Sequence, residues 1–159
     1  LTYRSILENN FSRKVYGFDS FGKFPSAKNP SDKKFIKMWK NLAGDSISKD
    51  ELHKILLEKK FENFELIEGD VLKTIPSFIK DRNNTIIALL HLDMDVYRPT
   101  KYVINKLFDK MSSNGIILID DYSAVAGATK AINEFLKSKK ELKIQKLPYY
   151  KAPSYIVVP

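Results

Sequence analysis

The sequence predicts an α/β fold with a mostly parallel sheet, helices on both faces of the sheet, and an antiparallel hairpin at the C-terminal end. Predicted strands and helices alternate along most of the 159 residues, which is the order typical of parallel α/β proteins. Two apolar runs, 86–92 and 115–119, are rich in Ile and Leu, as expected of strands that are buried on both faces. The last two predicted strands, 142–147 and 154–158, are joined by a short connection, which favours a hairpin.

The N-terminal half supplies its own helices and strands. Residues 1–9 have the apolar spacing of a helix, and 15–18 form a short strand followed by a loop rich in Gly and Pro. A helix is predicted over 32–42. A second helix begins at Ser48, which is followed three residues later by a glutamate, as in a capping box. A strand is predicted over 64–68, where Glu65 and Glu68 are interspersed among apolar residues.

Helices separate the strands of the C-terminal half. The segment 71–80 predicts a helix that is broken around Pro76. Pro99 lies near the first turn of the following helix, where proline is tolerated, and Asn114-Gly115 is predicted to end that helix. Another amphipathic helix is predicted over 128–136.

The composition is that of one globular domain. Hydrophobic residues make up 43% of the chain, and no apolar run is long enough to span a bilayer. Cysteine is absent, which excludes disulfides, thiolate metal sites and a cysteine nucleophile. These features favour a cytoplasmic protein with no membrane partner.

The formal net charge is +8, and nearly all of the excess is lysine spread over many segments, as on a solvated surface. The densest run, Lys23 to Lys40, is interrupted by Phe35 and Trp39. Such a run could bind nucleic acid by stacking bases, or it could form an amphipathic helix that buries Phe35, Ile36 and Trp39. A nucleic-acid-binding module would leave the acidic residues of the chain unexplained, so we expect no nucleic-acid partner.

Four acids follow the two apolar runs. Asp93 and Asp95 alternate, so an extended strand would place both on one face, together with His91. Asp120 and Asp121 are adjacent, so both can reach one metal only if the chain turns there. Carboxylates packed at one sheet edge repel one another unless a cation lies between them, and oxygen ligands suit Mg²⁺ or Ca²⁺. The alternative is that the acids cap the following helices.

Other polar residues follow predicted strands as well. Asp19 could accept hydrogen bonds from a ribose diol, or it could cap a turn. Asp70, after Gly69, could accept from an adenine amino group or cap the next helix. His91 could act as a general base or have a structural role.

Four segments carry a family resemblance. They are YGFDSFGKFP at 16–25, GDVLKTIP at 69–76, LDMDVY at 92–97 and IDDY at 119–122. In order and spacing they resemble the successive motifs of the macrocin O-methyltransferase family. Enzymes of that family methylate sugar hydroxyls of macrolide, aminocoumarin and related natural products. They use S-adenosylmethionine and a divalent metal, usually Mg²⁺.

The resemblance implies a Rossmann-like class I methyltransferase sheet and a set of site residues. Asp93, Asp120 and Asp121 would hold the metal, and Asp93 would also remove the proton of the acceptor hydroxyl. Asp95 would orient its neighbours, and residues 21–50 would form a lid over the substrate. The acceptor would be a small-molecule or glycan hydroxyl, and the enzyme would assemble as a dimer or larger homo-oligomer.

The resemblance also implies a cofactor site. Asp19 and Ser20 would bind the ribose of S-adenosylmethionine, and Gly69 and Asp70 would lie at the adenine.

The chain departs from the family at its start. The family begins its core with a strand and a glycine-rich turn, whereas Leu1-Thr2-Tyr3-Arg4 resembles the helix after that turn. The absent strand is central in the family, so we expect the two flanking strands each to have an unpaired edge. Residues 1–159 would then be a single methyltransferase-like domain that is N-terminally incomplete, unless another segment or a partner chain fills the gap.

A metal-dependent glycosyltransferase is the rival interpretation. Asp93-Met94-Asp95 is a D-x-D motif that could bind Mn²⁺ and a nucleotide sugar. That interpretation explains neither the Asp120-Asp121 pair nor Asp19.

Overall fold

The computed structural model describes residues 12–22, 27–43, 46–146, 148–149 and 153–159. The helix predicted over 1–9 therefore lies outside the described residues. The elements in chain order are β1 (Val15–Asp19), α1 (Pro30–Ala43), α2 (Lys49–Glu58), β2 (Phe64–Glu68), α3 (Val71–Asp81), β3 (Ile87–Leu92), α4 (Tyr97–Leu107), a 3-10 turn (Phe108–Lys110), β4 (Met111–Ile119), α5 (Ala126–Ser138), β5 (Gln145–Lys146) and β6 (Ser154–Val157).

The strands form two sheets. β1 and β2 pair in parallel, and the second sheet has the order β3-β4-β6-β5. In the second sheet β3 and β4 are parallel, whereas β6 is antiparallel to both β4 and β5. The predicted α/β fold, with parallel strands followed by an antiparallel hairpin, is confirmed.

Four strands have an edge without a neighbour in the described part of the chain, namely β1 and β2 in the first sheet and β3 and β5 in the second. β1 pairs only with β2, and β3 pairs only with β4. The expectation that the two strands flanking the family's central strand have unpaired edges stays a prediction.

The core lies between the four-stranded sheet and three helices. Because side chains alternate along a strand, Leu90 and Leu92 of β3 and Ile117 and Ile119 of β4 project to one face. The helices that pack on this face contribute one or more fully buried residues each, namely Ile75 of α3, Ile104 of α4 and Ile132 of α5. Burial of this apolar face is the main stabilising term of the sheet.

The opposite face of the four-stranded sheet is less covered than predicted. Ile116 of β4 is 40% exposed and Val157 of β6 is 39% exposed. The prediction that these strands are buried on both faces is therefore wrong for the described residues. The physical reason is that α3, α4 and α5 all contribute to the core on the other side.

Helices do cover both faces of the two-stranded sheet. Phe78 of α3 makes edge contacts with Tyr16 and Phe18 of β1, at centroid distances of 4.7 and 5.2 Å. His53 of α2 contacts Phe64 of β2 at 5.4 Å. Phe64 pairs with Val15 and so projects to the face opposite Tyr16.

Some helix boundaries differ from the prediction. α3 continues through Pro76, because buried Ile75 and Phe78 hold both sides of the proline against the core. α4 ends at Leu107 rather than at Asn114-Gly115. Asn114 instead adopts φ 59° within β4, where the pairing with β3 shifts register.

Three other expectations concern the cap of α2, the length of β5 and membrane-spanning helices. The capping box at Ser48 is confirmed, because its side chain and that of Glu51 exchange hydrogen bonds with each other's backbone N–H groups. β5 is shorter than the predicted strand 142–147, of which residue 147 lies outside the described residues. None of the described helices has the length and apolar character needed to cross a membrane.

Candidate metal and cofactor site

β3 and β4 end side by side, and both continue into acidic residues. Leu92 pairs with Ile119, and the N–H of Asp120 donates to the carbonyl of Leu92 at 3.0 Å. Because the two strands are parallel, the acids that follow them lie at the same edge of the sheet. This edge, at the carboxyl ends of the strands, is where open α/β sheets bind ligands.

Two turns fold these acids towards each other. Asp95 adopts φ 58°, a left-handed conformation that is uncommon outside glycine but is tolerated by Asp and Asn. Its N–H donates to Oδ2 of Asp121 at 3.0 Å, and its carbonyl accepts from the N–H of Ala128 at 3.2 Å. After β4, the N–H groups of Ala124 and Val125 both donate to the carbonyl of Asp121 at 3.0 Å.

The result is a cluster of three carboxylates, which we call the acidic cluster. One oxygen from each of Asp93, Asp95 and Asp121 lies within 4.8 Å of the others. Asp93 is exposed, Asp95 is half-buried and Asp121 is buried. The cluster is therefore open to solvent on the side of Asp93.

Burial and mutual repulsion disfavour negative charge on all three carboxylates of the acidic cluster at once. Burial raises the pKa of Asp95 to about 7, with further contributions from the charges of Asp121 and Asp93. Burial also raises the pKa of Asp93, as do Asp120 and Asp121, while the nearby His91 partly offsets this. Burial likewise raises the pKa of Asp121, against the hydrogen bond from the Asp95 backbone.

The donor set fits a hard divalent cation. Carboxylate oxygens are the ligands of Mg²⁺ and Ca²⁺, and a cation would relieve the repulsion that adds to the effect of burial on these pKa values. The sequence analysis proposed Asp93, Asp120 and Asp121, whereas the described cluster has Asp95 in the place of Asp120. Asp120 still lies close enough for its charge to raise the pKa of Asp93.

A second rim lies at the ends of β1 and β2. The N–H of Gly69 donates to the carbonyl of Asp19 at 2.8 Å, and Gly69 has φ 132°, a conformation that L side chains rarely adopt. Oδ1 of Asp19 accepts from the N–H of Phe21 at 2.5 Å. Oδ1 of Asp70 accepts from the N–H of Leu72 at 2.9 Å and so caps α3. The capping roles considered for both aspartates are therefore present, and their cofactor roles stay predictions.

The two rims lie near each other. The charge of Asp19 contributes to the raised pKa of Asp93, although the two residues belong to different sheets. Ser20, the next proposed cofactor residue, follows directly after β1 and is half-buried. The proposed cofactor residues and the acidic cluster therefore lie at the same end of the molecule.

Sequence reasoning missed Asp32. It is 3% exposed, and its Oδ2 accepts from the N–H of Tyr97 at 3.2 Å. The only sequence signal is an acid in the first turn of α1, and most such acids are solvated. Asp32 and Tyr97 are 65 positions apart in the chain, so no local sequence pattern could indicate their contact.

The fold is that of Rossmann-like methyltransferases of known structure. The structure is similar to that of the calicheamicin methyltransferase CalS11, with a TM-score of 0.76 and 24% identity over 98% of this chain and 64% of that one. It is also similar to the O-methyltransferase NovP, with a TM-score of 0.79 and 21% identity over 98% of this chain and 65% of that one. At these identities the similarity establishes the fold.

The sequence match is more specific. Residues 2–147 match the model of the macrocin-O-methyltransferase (TylF) family, and the chain belongs to this family. It is 28% identical over 83 residues to the demethyldecarbamoylnovobiocin O-methyltransferase of Streptomyces niveus, a match that covers 50% of this chain and 31% of that protein. The chain thus spans less than two thirds of the relatives that it matches.

Proposed function

We propose that the protein is an O-methyltransferase that uses S-adenosylmethionine and a divalent metal to methylate a hydroxyl of a sugar or glycosylated natural product. The observation that carries this proposal is the acidic cluster at the ends of two parallel strands, in a chain of the macrocin O-methyltransferase family. One solved relative of this fold is described as a TDP-rhamnose 3'-O-methyltransferase, which supports a sugar hydroxyl as the acceptor.

Asp93 and Asp121 are the proposed metal ligands at the centre of the cluster. Asp95 supplies the third carboxylate in the described geometry, and Asp120, implied by the family resemblance, is the alternative third ligand. A divalent cation held by these carboxylates would supply Lewis-acid chemistry that lowers the pKa of an acceptor hydroxyl. The fixed loop of Asp95 and the buried position of Asp121 keep their carboxylates in place without further reorganisation.

Asp93 is the proposed general base. It is the most exposed member of the acidic cluster, so an acceptor hydroxyl can approach it. A carboxylate in this position can accept the proton of an acceptor hydroxyl that a neighbouring cation would make more acidic. The Asp93 carboxylate would take the proton of the acceptor hydroxyl, and S-adenosylmethionine would supply the methyl group.

Asp19, Ser20, Gly69 and Asp70 are the proposed cofactor residues. The Phe21 N–H fixes the Asp19 carboxylate at the end of β1, and a carboxylate can accept from both hydroxyls of a ribose. The left-handed Gly69 sets the direction of the chain between β2 and α3, next to Asp70. The position of Asp19 near Asp93 supports a cofactor site close to the acceptor.

The family match does not favour the glycosyltransferase interpretation. Asp95, the second acid of the D-x-D motif, belongs to a cluster with Asp121 from the next strand, which that motif does not predict.

The basic run that suggested nucleic acid includes α1. Phe35 and Ile36 of this helix are half-buried, as the amphipathic-helix alternative expects, whereas Trp39 is 45% exposed.

Calorimetric titration of the chain with Mn²⁺ and with S-adenosylhomocysteine tests the proposal. We expect Mn²⁺ to bind about 10- to 100-fold more weakly to Asp121→Asn, since ligand or supporting residues contribute at this scale. Asp109→Asn is the matched control, because Asp109 is an exposed aspartate before β4, outside the acidic cluster. A folded wild-type chain that binds neither Mn²⁺ nor S-adenosylhomocysteine would overturn the proposal.

A further inference from the structure

We propose that Asp32 is a positioning residue. Its carboxylate docks α1 onto the N-termini of α4 and α5, and it thereby fixes the loop 93–96 that carries two carboxylates of the acidic cluster. The docking role stands on the geometry alone, whereas its consequence for metal binding rests on the proposed function. Four features of the Asp32 environment support this role.

The first feature is that Asp32 does not serve its own helix. An acid in the first turn ordinarily stabilises its own helix N-terminus. The N-terminus of α1 is already capped by Asn29. Its Oδ1 accepts from both the N–H and the hydroxyl of Ser31, at 3.1 and 2.9 Å. Asp32 is instead buried, with 3% exposure, and its Oδ2 accepts from the N–H of Tyr97.

The second feature is that the two receiving helices lack caps of their own. α4 follows Val96 and α5 follows Val125, and neither valine can make a side-chain cap hydrogen bond. The orphan N–H groups at the start of a helix need an acceptor, and an anion is favoured there. Asp32 meets this need for α4 from a distant part of the chain.

The third feature is how closely α5 approaches the carboxylate. Gly127 is buried near the start of α5, and a Cβ at this position would overlap Oδ1 of Asp32 and lie 2.8 Å from the Tyr97 N. Oδ1 is buried and has no hydrogen-bond partner among the described atoms. The absence of a side chain at Gly127 is therefore what allows the carboxylate to fit between the two helices.

The fourth feature is the position of this contact relative to the acidic cluster. The Tyr97 N–H is two residues beyond Asp95, whose own N–H and carbonyl are held by Asp121 and Ala128. The loop between β3 and α4 is thus fixed on both sides of Asp95. Loss of the hydrogen bond between the Tyr97 N–H and Asp32 would remove one of these restraints. The carboxylate of Asp95 could then move away from Asp93 and Asp121.

The face of α1 that carries Asp32 supplies a spectroscopic reporter. Asp32, Phe35, Ile36 and Trp39 share one helix face by their spacing. Exposure rises along this face from 3% at Asp32 to 45% at Trp39, so Asp32 is its most firmly held point. Trp39 is the single tryptophan of the chain and lies on this face, so its emission reports solvent access to this face of α1.

Amide hydrogen exchange of the metal-free chain is the deciding test, with Trp39 emission recorded in parallel. In Asp32→Ala we expect exchange at the Tyr97 and Asp95 amides to accelerate about tenfold and the Trp39 emission to shift to longer wavelength. Asp32→Asn keeps an acceptor oxygen and should restore most of the protection at Tyr97. Gly127→Ala should resemble Asp32→Ala, because its methyl group displaces the carboxylate.

Lys33→Ala is the matched control, since Lys33 is the next residue of α1 and is exposed. Unchanged exchange at both amides in Asp32→Ala and in Gly127→Ala would overturn the proposal. A titration with Mn²⁺ then separates the two proposals. If the wild-type chain binds no Mn²⁺ while Asp32→Ala loses amide protection, the docking role holds and the proposed metal site fails.

Discussion

The backbone N–H of Asp95 donates to Oδ2 of Asp121 at 3.0 Å, although the two residues follow different strands. One carboxylate of the acidic cluster thus holds the backbone that carries another. This bond also partly offsets the effect of burial on the pKa of Asp121. The relationship explains how Asp95 keeps a left-handed conformation and why a change at Asp121 should alter the whole cluster rather than one ligand.

Removal of the Asp95 charge should stabilise the metal-free protein at neutral pH. The pKa of Asp95 is raised from 3.8 to about 7, so the folded state keeps a proton that the unfolded state releases above pH 4. Stability therefore falls as the pH rises from about 4 to about 7, and it changes little above that. In Asp95→Asn we expect a gain of about 1 kcal/mol at pH 7.5, a value discounted for solvent screening at the open rim.

Thermal unfolding of wild type and Asp95→Asn between pH 4 and pH 8, with a chelator present, measures this effect. The difference in melting temperature should grow with pH and level off above about 7. A difference that is constant over the whole range would contradict the raised pKa. Asp109→Asn, which changes an exposed aspartate outside the cluster, should show no such trend.

The third metal ligand can be identified by comparing two substitutions. The described geometry places Asp95 with Asp93 and Asp121, so Asp95→Asn should weaken Mn²⁺ binding about tenfold or more. Asp120→Asn should weaken it by less, because Asp120 then acts mainly through its charge. Titration calorimetry at one pH and ionic strength measures both affinities, and the opposite order would identify Asp120 as the ligand.

Two neighbouring isoleucines test the one-sided burial of the main sheet. Ile117 is fully buried and faces α4 and α5, whereas Ile116 projects to the other face and is 40% exposed. We expect Ile117→Ala to cost about 3 kcal/mol through lost burial and a cavity, and Ile116→Ala to cost about 1 kcal/mol. Urea unfolding measures both free energies. Equal costs would show that the outer face is covered in solution.

The capping box at Ser48 provides a local test that is independent of the site. Its hydroxyl accepts from the Glu51 N–H, and Oε2 of Glu51 accepts from the Ser48 N–H at 3.0 Å. Ser48→Ala should lower the free energy of unfolding by about 1 kcal/mol, and Ser48→Asp should recover most of it because aspartate also caps helices. Neither change should affect Mn²⁺ affinity, since no described contact joins α2 to the acidic cluster.

The sequence determined the features that depend on local order. The apolar runs that became β3 and β4, the capping box of α2 and the alternation of strands and helices follow from side-chain periodicity and cap chemistry. The family motifs identified the carboxylates at the strand ends, whereas the prediction that Asp93 and Asp95 share one face of an extended strand is wrong, because β3 ends at Leu92 and Asp95 adopts a left-handed conformation. Local rules sufficed because hydrogen bonds within a helix or turn join residues a few positions apart.

Tertiary structure decided the features that depend on distant contacts. Whether Asp95 joins the acidic cluster depends on a hydrogen bond to Asp121, and whether one sheet face is buried depends on where α3, α4 and α5 pack. α3 runs unbroken through Pro76 because its neighbours are buried in the core, which no propensity encodes. Asp32 reaches Tyr97 only because Gly127 leaves space for its carboxylate, so its role depends on three segments that meet only in the folded chain.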